Sequence, residues 1–174
     1  MKINIPYKKE NVLVEIPDKN LLGIVEPKEV KGSAKENVLK KSIENPTKNI
    51  PLNDFLNKHK SILFLINDGQ RPTPTKKVLD TIYPIMKPYM HKIEFMIATG
   101  SHRVPTEEEF NNIFGPYYNE FKPKITVHDS RNDAVLQYIG KTERGTELFI
   151  NKKVLENEAI VTIGSSEPHY FAGY

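Results

Sequence analysis

Three stretches of this chain are apolar without alternation: Ser61–Ile66, Ile93–Ala98 and Ala159–Ile163. A strand with one wet face alternates polar and apolar side chains. Runs that do not alternate are strands covered on both faces, which is the situation of a parallel sheet. Lys124–His128 is a shorter run of the same kind. Parallel strands need crossovers, and helical patterns stand where crossovers are needed. Thr75–Tyr83 carries Val78, Leu79 and Ile82 at helical spacing. Thr106–Phe114 begins with an N-cap threonine and three acids, then Phe110, Ile113 and Phe114. Acids in a first turn suit the positive end of the helix dipole. The expectation is an α/β fold with an open, mainly parallel, Rossmann-like sheet.

The flanking segments read differently. Ile3–Tyr7 and Asn11–Ile16 alternate about a short polar connection and predict an N-terminal β-hairpin. Ile24–Pro27 predicts a further short extended piece. Ser33, with Glu36 three residues on, has capping-box spacing and predicts a helix to about Glu44, before Pro46. Leu52–Lys58 predicts a short helix. Val135–Gly140 and Leu148–Asn151 predict a hairpin turning at Gly145. With 174 residues, no repeat and no linker composition, one α/β domain over 1–174 is expected.

Composition excludes more than it selects. There is no cysteine, so thiolate metal sites, disulfides and a cysteine nucleophile are out. A net charge of +3 is too small to argue for nucleic acid. No apolar run reaches the roughly 20 residues of a membrane span. Met1 leads straight into a strand pattern rather than a signal peptide. A soluble, cytoplasmic protein is expected.

Ligands of open α/β sheets bind beyond the carboxyl ends of the strands. The loops there begin at Asn67, Thr99, His128 and Gly164, and they hold three of the five histidines and three of the four arginines. They collect Asp68, Arg71, Ser101, His102, Arg103, His128, Asp129, Ser165, Glu167 and His169. Pro72, Pro74, Pro105 and Pro168 stiffen them by fixing φ. His59 and His91 precede strands and belong to the opposite edge. Each feature has a plainer reading: Asp68 pairs with Arg71 across a turn, His102 caps the next helix, and His128-Asp129 forms an ordinary Asx turn, the reading favoured for that pair. No local metal-ligand spacing, P-loop, dinucleotide fingerprint or nucleophile elbow is present. What remains is two histidines on different loops and an arginine. Histidine serves as general acid or base near neutrality, and arginine grips a carboxylate with a planar fork. Two bases on opposite faces of one carbon are what a racemase or epimerase needs.

Asp68-Gly-Gln-Arg71-Pro72-Thr-Pro74, then Ala98-Thr-Gly-Ser-His102-Arg103, then Glu167-Pro-His169-Tyr-Phe-Ala-Gly173-Tyr174, resemble three signature loops of the nickel-pincer lactate racemase family. His128-Asp129 and Gly140–Thr146 running into Asn151 resemble it too, so the likeness covers about Ser61 to Tyr174. The resemblance implies an isomerase of 2-hydroxy acids that works with a nickel-pincer nucleotide, a pyridinium mononucleotide. Hydride leaves the substrate α-carbon for the pyridinium ring and returns to either face. It implies that His102 and His169 take and give back the hydroxyl proton, that Arg71 holds substrate, and that Asp68 is an acid near the cofactor. In the family, the lysine joined to the cofactor and a nickel-ligating histidine follow the last of these loops, so no metal ligand is expected within this chain. The chain therefore reads as the N-terminal, catalytic-histidine-bearing part of a longer enzyme, inactive alone. The implied partners are a small 2-hydroxy acid, the C-terminal domain of the parent and the proteins that make the cofactor, with no nucleic acid or membrane. Two other readings use the same loops: a non-catalytic domain that binds a small carboxylate or phosphate, and a hydrolase using His102 with Asp129 and Ser101 or Ser165.

Overall fold

A computed structural model of the chain describes residues 1–26 and 35–166. The chain forms two compact units, Met1–Ser33 and Ala34–Tyr174.

In the first unit, β1 (Lys2–Tyr7) pairs antiparallel with β2 (Glu10–Glu15), as the alternation predicts. Met1 ties the open end through Ile16 O and Asp18. The extended piece expected at Ile24–Pro27 does not form a strand over Ile24–Glu26, and Pro27 lies outside the described residues. Those residues pair with no neighbouring strand, and three apolar-flanked positions cannot make one without a ladder to join.

The second unit contains α1 (Lys35–Glu44) and α2 (Leu52–Lys58), then β3 (Ile62–Asn67), α3 (Thr75–Met86), β4 (Ile93–Ala98), α4 (Glu107–Phe114), α5 (Tyr118–Phe121) and β5 (Ile125–Val127). A hairpin of β6 (Leu136–Lys141) and β7 (Glu147–Asn151), α6 (Lys152–Glu156) and β8 (Ala159–Ile163) follow. The Ser33 cap expected for α1 lies outside the described residues. α3 runs past Tyr83 to Met86, with Pro84 inside the helix and Ile85 and Met86 keeping the apolar stripe.

The four non-alternating runs form one sheet in the order β5-β4-β3-β8, every pair parallel. Numbered among themselves, these strands lie 3-2-1-4. That is half of the doubly wound order, with its reversal point between β3 and β8. The central strands are the driest: Ile62, Phe64, Ile66, Phe95 and Ile97 pack against Leu79, Ile82 and Met86 of α3, Phe114 of α4 and Phe121 of α5. Leu63 and Met96 on the other face are buried as well. Glu94 on that face is held by Lys153 of α6. The burial of both faces is the reason these runs lack alternation.

Candidate active site

The site begins with sheet register. Asn67 stands opposite Ala98, so the loops that leave β3 and β4 start side by side. Asn67 donates to Thr73 Oγ1 across the first loop, closing it. Asp68 turns inward and is 5% exposed; its Oδ1 accepts from the Gln70 backbone N–H, and its carbonyl accepts from Arg71 N–H. In the second loop Gly100 takes φ +58°, a left-handed conformation that suits glycine, and His102 N–H closes a turn on Thr99 O. That turn brings the imidazole back over the first loop. His102 Nδ1 lies 2.6 Å from Asp68 Oδ2. Because an ionised carboxylate only accepts, Nδ1 carries the hydrogen and donates it. Nε2 is then left as a base, with the ring oriented by a buried acid.

Asp68, Arg71, Ser101 and His102 line one open pocket of about 330 Å³. The structure therefore brings together three of the four residues expected to act there. The fourth, His169, lies outside the described residues, as does Glu167. Ser165 is exposed and does not line this pocket. The plainer readings fare unevenly. Asp68 is engaged by His102 rather than by the Arg71 side chain, because the Asp68–Arg71 turn bonds backbone to backbone. Asp129 accepts from Arg131 N–H in the Asx turn expected of it. The hydrolase reading needed His102 on Asp129; the acid beside His102 is Asp68.

Arg103 is not free to bind a ligand. Its guanidinium meets Glu109 at 2.8 and 2.9 Å in a two-pronged pair. Glu109 also accepts from Thr106 N–H, while Thr106 Oγ1 accepts from Glu109 N–H, the capping box of α4. The same side chain abuts Gly69, where a Cβ would stand 3.1 Å from Glu109 Cγ. One carboxylate thus braces both loops of the site. The Arg103 guanidinium, and after it the Thr106 backbone N–H, hold Glu109 down at about 2 against an ordinary 4.5. A carboxylate with a depressed folded value adds stability above its ordinary range and loses it as pH falls to the folded value. Glu109→Gln is expected to lower the melting temperature near neutrality and to flatten its fall between pH 4.5 and about 2. Thermal denaturation across that range checks it. Parallel acid limbs in the two proteins would refute the brace.

A mainly apolar hollow of about 440 Å³ lies elsewhere, between α1, α2, α3 and β8. No ionisable side chain among the described residues lines it. Among the described residues, no group of three or more His, Asp or Glu is placed to hold a metal ion, and no helix is long and apolar enough to cross a membrane.

Fold and site together define an α/β domain of the doubly wound kind, with a carboxylate-oriented histidine at its carboxyl edge and an arginine that makes no side-chain ion pair among the described residues. Comparison with known proteins makes this specific. Residues 7–174 match the family model described as the lactate racemase N-terminal domain, and the chain belongs to that family. It is 34% identical over 179 residues to the lactate racemase of Thermoanaerobacterium thermosaccharolyticum, an alignment that takes in 99% of this chain and 41% of that protein. Against the lactate racemase of Lactiplantibacillus plantarum it is 29% identical over 180 residues, covering 99% of this chain and 42% of the relative. The structure of the lactate racemase apoprotein from the first organism superposes with a TM-score of 0.77 at 30% identity, over 93% of this chain and 38% of that one. The chain spans about two fifths of the length of the curated relatives it matches.

Proposed function

We propose that the chain is the N-terminal, catalytic part of a longer isomerase that racemises or epimerises a small 2-hydroxy acid. The observation that carries the reading is the Asp68–His102 pair beside Arg71. In this reading the Arg71 guanidinium grips the substrate carboxylate. His102 Nε2 takes the hydroxyl proton as the α-carbon loses hydride, and Asp68 steadies the imidazolium that results. His169, which follows β8 in the sequence, is assigned the same task from the other face. Asp68 acts through His102, as a positioning residue, rather than on the cofactor directly.

The residues fit an anionic mononucleotide of the nickel-pincer kind: the crevice is open and polar, Gly100 has clear space beside it, and Arg71 makes no side-chain ion pair among the described residues. Ser101 is the group here that would meet it, beside the Arg71 that holds the substrate. When bound, that cofactor supplies the carbon that accepts hydride and returns it. The proteins that make the cofactor and the C-terminal part of the parent are the partners the reading requires.

A domain that only binds a small anion has no use for Asp68, since a buried carboxylate beside the pocket repels the ligand. What the pair supplies is an oriented base, which proton transfer uses. The test is chiral chromatography of 2-hydroxy acids incubated with the cofactor-loaded full-length protein and with this chain alone. Racemisation by the first and not by the second is expected. A full-length protein that binds 2-hydroxy acids without inverting any of them would leave the binding-domain reading in its place.

A further inference from the structure

The site pocket shares Ser101 and His102 with a second hollow of about 200 Å³, which reaches the loop after β5 through His128, Ser130 and Arg131. We infer that this hollow is a subsite for a phosphate monoester. The inference rests on the mononucleotide reading above for the identity of its ligand, because a mononucleotide ends in such a group.

Two guanidiniums line the hollow, and they are not equivalent. Arg103 is committed to Glu109. Arg131 is exposed and makes no side-chain ion pair or hydrogen bond among the described residues; its backbone N–H alone is engaged, by Asp129. Among the described residues Asp129 is the only acid lining the hollow, and that contact ties its Oδ1 into the loop's own turn. Arg71 in the first pocket and Arg131 in the second are thus one free fork apiece. Guanidinium forks match carboxylates and phosphates.

His128 supplies a donor whose orientation is fixed from behind. Asn151 is 7% exposed and caps α6: its Oδ1 accepts from Lys153 N–H at 3.0 Å. The amide orientation is therefore set, and it is Nδ2 that faces His128 Nδ1 at 3.1 Å. An amide nitrogen only donates, so Nδ1 offers its lone pair and the ring hydrogen sits on Nε2. The His128 backbone is pinned too, by N–H to Ile97 O and by its carbonyl to Thr99 Oγ1. His102 and His128 thus show opposite tautomers: His102 keeps a free base, and His128 keeps a free N–H. With the hydroxyls of Ser101 and Ser130, that N–H and the Arg131 fork make a donor set for three oxygens rather than two. A tetrahedral phosphate fills such a set better than a flat carboxylate does.

The test titrates the 174-residue chain with inorganic phosphate, acetate, nicotinic acid mononucleotide and the corresponding nucleoside, reading calorimetric affinity and the His128 ring nitrogen by NMR. Phosphate is expected to move the Nε2 resonance of His128 and not the ring of His59, and acetate to move neither. The mononucleotide is expected to bind at least about tenfold more tightly than the nucleoside, with Arg131→Met removing the difference and Arg131→Lys keeping part of it. Equal affinity for mononucleotide and nucleoside, no binding of either, or an unchanged preference in Arg131→Met would each overturn the subsite. Phosphate binding here by a chain whose full-length form racemises nothing would sink the racemase reading and leave the subsite standing. The reverse pair of results would do the opposite.

Discussion

Replacing His102 by alanine in the full-length protein is expected to lower 2-hydroxy acid racemisation by a factor on the order of 10²–10⁴, the usual cost of losing a general base. The loss should fall on kcat, since Arg71 still holds the carboxylate. His102 is 40% exposed in its side chain and among the described residues bonds only Asp68 through it, so its removal leaves the core untouched. Asp68→Asn asks a sharper question. An amide at that position can turn its nitrogen toward Nδ1, which then has to accept; the hydrogen moves to Nε2 and the base is blocked. Asp68→Asn is expected to lose about as much as His102→Ala, up to roughly 10⁴. The double variant should lose no more than the worse single one, because both changes disable the same base. Steady-state kinetics on the three variants decide. Additive losses would mean that Asp68 and His102 act separately, and full activity in Asp68→Asn would reduce the pair to a structural contact.

That pair marks the boundary of what the residues disclose on their own. The parallel sheet was legible because burial on both faces removes alternation, and Ser61–Ile66 and Ile93–Ala98 show it plainly. The edge that holds the site followed, since polar side chains collect after each run. Thr106 before three acids marks the N-cap of α4, and the structure adds the reciprocal Glu109 bond that completes a capping box. The order of the strands was not legible: nothing in Ala159–Ile163 says that it pairs with β3 rather than with β5. Nor was the partner of His102. Asp68 stands 34 residues away, and only the Asn67–Ala98 register together with the turn at Gly100 brings the two within bonding distance. Arg103 illustrates the converse. It looked as available as Arg71, but Glu109 on the following helix turn claims it. The Asx turn at Asp129 is legible in the sequence, and so is the place of His128 at the site edge; the tautomer of His128 is not, because Asn151, which sets it, lies on β7 across the fold.

The largest effect on stability is expected at Phe95. It is fully buried in the middle of β4, and its ring stacks on Phe121 at 4.4 Å, meets Phe114 edge-on at 5.9 Å and contacts Phe64 at 5.7 Å. These four rings join the two central strands to α4 and α5, and so tie together β4 and α4, the elements on either side of the loop that carries His102. Phe95→Ala removes the ring that all the others touch, and the neighbours are tied to three different elements and cannot collapse together into the space. The expected loss is about 3–5 kcal/mol, transfer and cavity terms combined. Set against a typical margin of about 5–15 kcal/mol, that is enough to leave a marginal domain partly unfolded. Phe95→Leu, which keeps most of the apolar volume, should lose clearly less. Phe149→Ala, at a ring that is 53% exposed on the β6–β7 hairpin, is the control and should change stability by roughly 0.5 kcal/mol or less. Urea denaturation of the three variants measures the order. If Phe95→Ala cost no more than Phe149→Ala, the aromatic cluster would not be the core that holds the two loops of the site in register.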